Sequence, residues 1–172
     1  MKIAISGGAS QGKSTLVNHL QNDEMFKGYK FQTNLTRNLS QQGIPINENG
    51  TAVTQLHVML KHFERLQGKD NAVLDRCALD GLAYSMYFFN EIEESVRDII
   101  VMMFETMMDK YDKIFYIVPE LPLVDDGERS INREFFDVVN SNFDHIINEY
   151  KIDVIRLHGS IEQRITQIKQ AL

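Results

Sequence analysis

Residues 5–16 read ISGGASQGKSTL, and within them Gly7-x-x-x-x-Gly12-Lys13-Ser14 completes the G-x-x-x-x-G-K-[ST] pattern. Gly7 and Gly12 permit backbone angles that turn successive N–H groups inward. The amides of Gly8, Ser10, Gln11 and Gly12, with Thr15 beside them, then face one point at the positive end of the following helix. That is a cradle for phosphate oxygens. Lys13 is placed to reach the β- and γ-phosphates of ATP, and the Ser14 hydroxyl to coordinate Mg2+. Such a loop identifies a phosphate donor without saying where the terminal phosphate goes.

A second group of reactive side chains follows at LDRCALDGLAY, residues 74–84. A carboxylate at the end of a strand beside a phosphate loop can hold Mg2+ through water or take a proton from an attacking hydroxyl. Asp75 is that carboxylate, and Arg76 can clamp a phosphate or carboxylate group. Asp80 is placed either to cap the helix that starts there or to contact substrate. Tyr84 is a core residue by spacing that could also stack a flat base. Cys77 is read as packing.

Two further segments could complete a site. Residues 120–133 carry Asp125, Asp126, Glu128, Arg129 and Arg133 around Gly127. In a phosphotransferase such a segment closes over the nucleotide, its arginines offsetting charge on the transferring group; the alternative is a solvated turn that caps a helix. The polar stretch 34–50 contains Asn34, Thr36, Arg37 and Asn38, a donor-rich rim suited to a sugar or base or simply to a turn. The five histidines lack metal-ligand spacing, and His57 and His62, five apart, are read as surface or packing residues.

The elements that must position these groups alternate along the chain. Apolar runs at 2–6, 29–32, 71–75, 113–118 and 153–158 read as strands. Helical patterns fill 13–20, 51–67, 78–90, 96–108, 133–150 and 161–172. Thr51 is expected to cap its helix. Strands interleaved with helices predict a five-stranded parallel sheet in a three-layer α/β/α P-loop NTPase architecture, nucleotide-kinase-like. Residues 34–50 and 120–132 are expected to be irregular, and long loops of this kind usually carry function. The whole chain, 1–172, is expected to form one domain.

Bulk properties narrow the partners. The 172 residues are 43% hydrophobic and 24% charged, with net charge −6, and the pI is about 5.3. This acidic balance disfavours a nucleic-acid substrate, although a local basic groove could coexist with it. One cysteine permits no internal disulfide and points to a reducing, cytoplasmic setting. No apolar run approaches the roughly 20 residues of a membrane span. Oligomeric state is left open.

With these pieces in place, the chain resembles the P-loop nucleoside and nucleotide kinases. It is more closely similar to the AAA-type ATPase/kinase family that includes the NadR-type nicotinamide-riboside kinase domain. The resemblance rests on GGASQGKST, VLDRCALDGLAY, PELPLVDDGERS with Arg133, and LHGSIEQRI. It implies ATP and Mg2+, a mobile lid around residues 126–133 served by Arg129 and Arg133, and an adenine site near His158 and Gly159. Riboside kinases of this group tend to carry an acid and an arginine just after the second strand. Here FQTNLTRNL offers Arg37 and no acid, which moves the catalytic carboxylate to Asp75. Small ATPases of this kind are also common among phage-encoded proteins, in which case the setting would be the host cytoplasm. The expected reaction is transfer of the ATP γ-phosphate to a nucleoside, nucleotide or related small riboside. A kinase acting on nucleic acid and a P-loop ATPase that is not a kinase are the alternatives; no N-K-x-D guanine motif supports a GTPase.

Overall fold

A computed structural model of the chain describes residues 1–120 and 132–172. Five strands form one parallel sheet: β1 (Lys2–Ser6), β2 (Lys30–Gln32), β3 (Ala72–Asp75), β4 (Lys113–Ile117) and β5 (Ile155–Leu157), in the order β2-β3-β1-β4-β5. The helices are α1 (Lys13–Gln21), α2 (Leu35–Gln41), α3 (Ala52–Arg65), α4 (Ala78–Ser85), α5 (Glu94–Met108), α6 (Arg133–Glu149) and α7 (Ile161–Ala171).

The strands are short apolar runs because both sheet faces are covered, and alternate residues bury into different cores. Ala4, Leu74, Ile114 and Tyr116 pack with α3, α4, α5 and α6. Ile3, Ile5, Val73, Phe115 and Ile117 face α1 and α7. All nine of these side chains are buried. Helix starts are set by local chemistry: Thr51 and Ser160 each form a reciprocal capping box, with Thr54 and Gln163. Asn132 accepts a hydrogen bond from the Phe135 amide at the start of α6.

Register brings the chemistry together. Ile5 pairs with Asp75 and Ser6 with Tyr116. The carboxyl ends of β1, β3 and β4 therefore deliver the glycine loop, Asp75 and Glu120 to one edge, where open α/β sheets bind ligands.

Two stretches differ from expectation. Residues 34–50 contain α2 and a short 3-10 turn at Asn47–Asn49. Leu35 and Leu39 bury against Val58 of α3, with Ile44 and Ile46 closing the cluster. The expected helix over 78–90 ends at Ser85 and continues as a 3-10 turn, Met86–Phe88. Asp125, Asp126, Gly127, Glu128 and Arg129 lie outside the described residues.

Candidate active site

The glycine loop links β1 to α1 as its pattern demands. Gly12 is the N-cap of α1 with φ 79°, a left-handed angle that turns the loop into the helix. At Gly8 the constraint is space: a Cβ would lie 2.2 Å from Asn140 Oδ1 of α6. Lys13 is 5% exposed, and its ammonium donates to the carbonyl oxygens of Gly7, at 2.5 Å, and Gly8. The charge is thus held inside the loop where phosphates would be met.

Gln11 and its contacts brace the loop from behind. Its carbonyl accepts from Arg164 Nη1 at 2.7 Å, and its Oε1 accepts from the Glu120 amide at 3.0 Å. Arg164 comes from α7 and is 1% exposed. The Glu120 carboxylate in turn accepts from Gly159 N at 2.8 Å and meets His158 Nδ1 at 2.7 Å. These two contacts hold the Glu120 carboxyl below the usual carboxylate range. His158 and Gly159 therefore sit on the β4 and α7 side of the loop, away from Asp75.

On the other side, Ser14 Oγ lies 3.5 Å from Asp75 Oδ2. Asp75 is 9% exposed, and Arg65 Nη1 donates to its carbonyl at 3.0 Å. The same guanidinium grips Gln32 at the end of β2, through Nε to Oε1 at 3.2 Å and through Nη2 to the carbonyl. Arg65, the last residue of α3, thus locks the ends of two strands together. Burial lowers its pKa, an effect opposed first by Asp75.

Arg76 adopts φ 70° and donates its amide to the Ile5 carbonyl at 2.9 Å. A non-glycine residue in this region is strained, and such strain gathers at functional sites. Its guanidinium lies 5.2 Å over the Tyr84 ring and 3.5 Å from Asp80 Oδ1. Burial opposes its charge, but Tyr84, Asp80 and Asp75 outweigh that and raise its pKa. Asp80 also accepts from the Cys77 amide at 3.0 Å, so it caps α4 and fixes Arg76 at once. Burial pushes the Cys77 thiol up, which keeps it protonated and in a packing role.

These groups open on a cleft of about 480 Å³. Ser14, Asp75, Arg76 and Tyr84 line one wall, and Asn34, Thr36 and Arg37 of α2 and its entry turn the other. Tyr84 gives one face to Arg76 and packs edge-on with Phe135 and Phe143. A smaller chamber of about 50 Å³ continues inward between α3 and α4, sharing Thr36, Arg76 and Tyr84 with the cleft.

Most sequence-expected residues thus converge in two sets about the loop. Arg133 does not join either wall: it is on the exposed side of α6, paired with Asp137 at 3.0 Å. Sequence reading did not single out Arg65, Asn140, Arg164 or Glu120 as parts of the site. Their partners lie far along the chain, and no local pattern marks them. A Ser hydroxyl and a carboxylate oxygen 3.5 Å apart form a hard-oxygen pair that fits Mg2+, which takes few protein ligands alongside phosphates and water. Among the described residues no cluster of three or more His, Cys, Asp or Glu competes as a metal site. No described helix is long and apolar enough to cross a membrane.

Solved structures share this fold. A crystal structure of NadR protein in complex with NR aligns with a TM-score of 0.76 at 17% identity, covering 98% of this chain and 50% of that one. NadR protein in complex with NAD and AMP-PNP gives 0.71 at 15% identity, covering 97% and 47%. Deoxyadenosine kinase from M. mycoides with bound dATP gives 0.68 at 18% identity, covering 99% and 98%. The chain thus spans about half the length of the NadR chains and nearly all of the deoxyadenosine kinase. At these identities the likeness is one of fold, that of P-loop kinases. No curated protein matches the sequence. A family model described as an AAA domain matches residues 2–164, and the chain belongs to that family.

Proposed function

We propose that the protein is a kinase that transfers the γ-phosphate of ATP to a hydroxyl of a nucleoside or related small riboside. The observation that carries this reading is the shared cleft: the Ser14 and Asp75 end of the phosphate loop opens directly on a second wall supplied by α2. A P-loop ATPase that only hydrolyses ATP has no need of such a wall. The solved structures of similar fold, a protein bound to NR and a deoxyadenosine kinase, support the same class of acceptor.

In this reaction the acceptor oxygen attacks the γ-phosphorus, the bond from that phosphorus to the β–γ bridging oxygen breaks, and ADP leaves. Asp75 orients the acceptor hydroxyl and takes its proton. Lys13 and the loop amides hold the β- and γ-oxygens in line and offset charge that builds on them. Ser14 would hold Mg2+ directly and Asp75 through water; the ion, when bound, neutralises phosphate charge. Arg76 and Arg37 face the acceptor. We assign Asp126 and Arg129 to a lid over the transferring group and His158 with Gly159 to the adenine. The Glu120 tie to the His158 loop supports a common site for the last two.

One screen tests the reading: ATP and Mg2+ with nucleosides, deoxynucleotides, nicotinamide riboside and DNA, read by product mass. A phosphorylated nucleoside or riboside is expected. Free phosphate with no acceptor product would leave a non-kinase ATPase, and labelled DNA would move the acceptor to nucleic acid. Replacement of Arg129 is expected to slow turnover more than it weakens nucleotide binding.

A further inference from the structure

The inner chamber between α3 and α4 has four buried polar side chains in its walls: Thr54, Gln55, His62 and Asp80. Three are engaged within the protein. Thr54 donates to the Pro45 carbonyl at 2.9 Å. Gln55 Oε1 accepts from Ser85 Oγ at 3.2 Å. Asp80 accepts from the Cys77 amide and pairs with Arg76. His62 is the exception. It is 1% exposed, and its Nδ1 has no hydrogen-bond partner among the described residues.

A buried donor or acceptor left without a partner is costly, so such a group calls for an explanation. Packing alone does not supply one, because Leu or Met would fill the same space without the cost. Gly81 faces the imidazole from α4: a Cβ there would lie 2.5 Å from Met59 Sδ and 3.3 Å from His62 Cδ2. The close approach of the two helices sets the Cδ2–Nε2 edge of the ring beside Gly81 at the chamber wall, and Nε2 too has no hydrogen-bond partner among the described residues. Burial, then Arg65 and Arg76, keep the His62 pKa well below the ordinary imidazole value. The ring is therefore neutral, one nitrogen donating and one accepting, and suits an uncharged partner.

Size completes the argument. At about 50 Å³ the chamber admits a substituent of a few atoms, whereas the adjoining cleft of about 480 Å³ takes a ring and sugar. We propose that His62 is a specificity residue of the acceptor site, hydrogen-bonding an uncharged amino or carboxamide substituent on the acceptor's ring. The substituent enters the chamber while the hydroxyl to be phosphorylated stays in the outer cleft beside Asp75. The inference rests on the kinase reading and adds to it the chemistry that selects the acceptor.

Matched acceptors test it. 2′-Deoxyadenosine is compared with purine 2′-deoxyriboside, which lacks the amino group. Nicotinamide riboside is compared with nicotinic acid riboside, which carries a carboxylate instead. Binding is measured by calorimetry and kcat/KM by product formation, for wild type, His62→Leu and His62→Gln. For at least one pair, wild type is expected to favour the uncharged substituted acceptor by about tenfold or more. His62→Leu should bring that ratio within about twofold, and His62→Gln should retain much of it. The melting temperature of His62→Leu should not fall, since it removes an unpartnered buried group; a merely structural histidine would show the reverse pattern. A ratio unchanged in His62→Leu, or no preference in wild type, overturns the proposal while product formation leaves the kinase reading intact. No phosphorylated product from any acceptor removes the kinase reading and this inference with it.

Discussion

Lys13 and Asp75 divide the proposed reaction between donor and acceptor, and substitution should separate their effects. Lys13→Ala removes the cation held against the Gly7 and Gly8 carbonyls. It is expected to lower kcat/KM by about 10³-fold or more and to weaken ATP binding as well. Asp75→Asn keeps the shape of the side chain but cannot take a proton. Turnover should fall by roughly 10²- to 10⁴-fold while the ATP dissociation constant stays within about threefold. Steady-state kinetics with nucleotide-binding calorimetry checks both, and wild-type turnover in Asp75→Asn would remove it as the base. His62 makes a prediction about stability as well as specificity. Its folded pKa lies well below the 6.5 of a free imidazole. Above pH 6.5 both folded and unfolded forms are neutral and the group is silent. As pH falls below 6.5 the unfolded chain takes a proton that the folded chain refuses, and stability is lost at about 1.4 kcal/mol per pH unit. The groups facing the ring, Arg65 from its own helix and Arg76 from the β3–α4 turn, add to that refusal, and Asp80 lines the same chamber. Denaturant midpoints at pH 7.5, 6.5 and 5.5 should fall less steeply for His62→Leu than for wild type; parallel curves would contradict this.

Between elements, the contact of the phosphate loop with α6 is the most exacting. Gly8→Ala would drive a methyl to 2.2 Å from Asn140 Oδ1, which is expected to cost about 1–3 kcal/mol of stability. Asn140→Ala in the same chain should recover much of that loss. Additive effects in a double-mutant cycle, read by denaturant unfolding, would show that the two sites do not meet. The same contact illustrates what sequence reading reaches. Strands such as 2–6 and 113–118 announce themselves as unbroken apolar runs, and Gly7 to Ser14 as a spaced pattern, because their causes are local. Helix α2 escapes notice: within its seven residues Leu35 and Leu39 alone are buried, and they need Val58, Ile44 and Ile46 from elsewhere to make a face. Arg65, Asn140 and His62 escape for the same reason. Arg65 matters through Gln32, 33 residues away, and no spacing along one element encodes such a pairing. Arg133, grouped with the lid by its neighbourhood in sequence, lies paired with Asp137 on the outer face of α6.

For the molecule as a whole, charge is informative about the acceptor. With a net charge of −6, and with Arg76 paired to Asp80, the cleft is poorly equipped to track a polyanion. Transfer to a neutral nucleoside is expected to change less than about threefold in kcat/KM between 50 and 200 mM salt. A nucleic-acid substrate held through six or more phosphates would lose about 10³-fold over that range. A steep salt dependence would therefore favour the nucleic-acid alternative. The Arg164 contact has a further consequence, for the order in which the molecule is made. The glycine loop is synthesised before the strands that flank β1, yet its Gln11 carbonyl is held by a guanidinium 153 residues later. Its strand β1 lies between β3 and β4. During translation β1 must wait, unpaired at its edges, until β3 and β4 close around it and α7 docks. ATP competence is therefore expected to arrive together with α7.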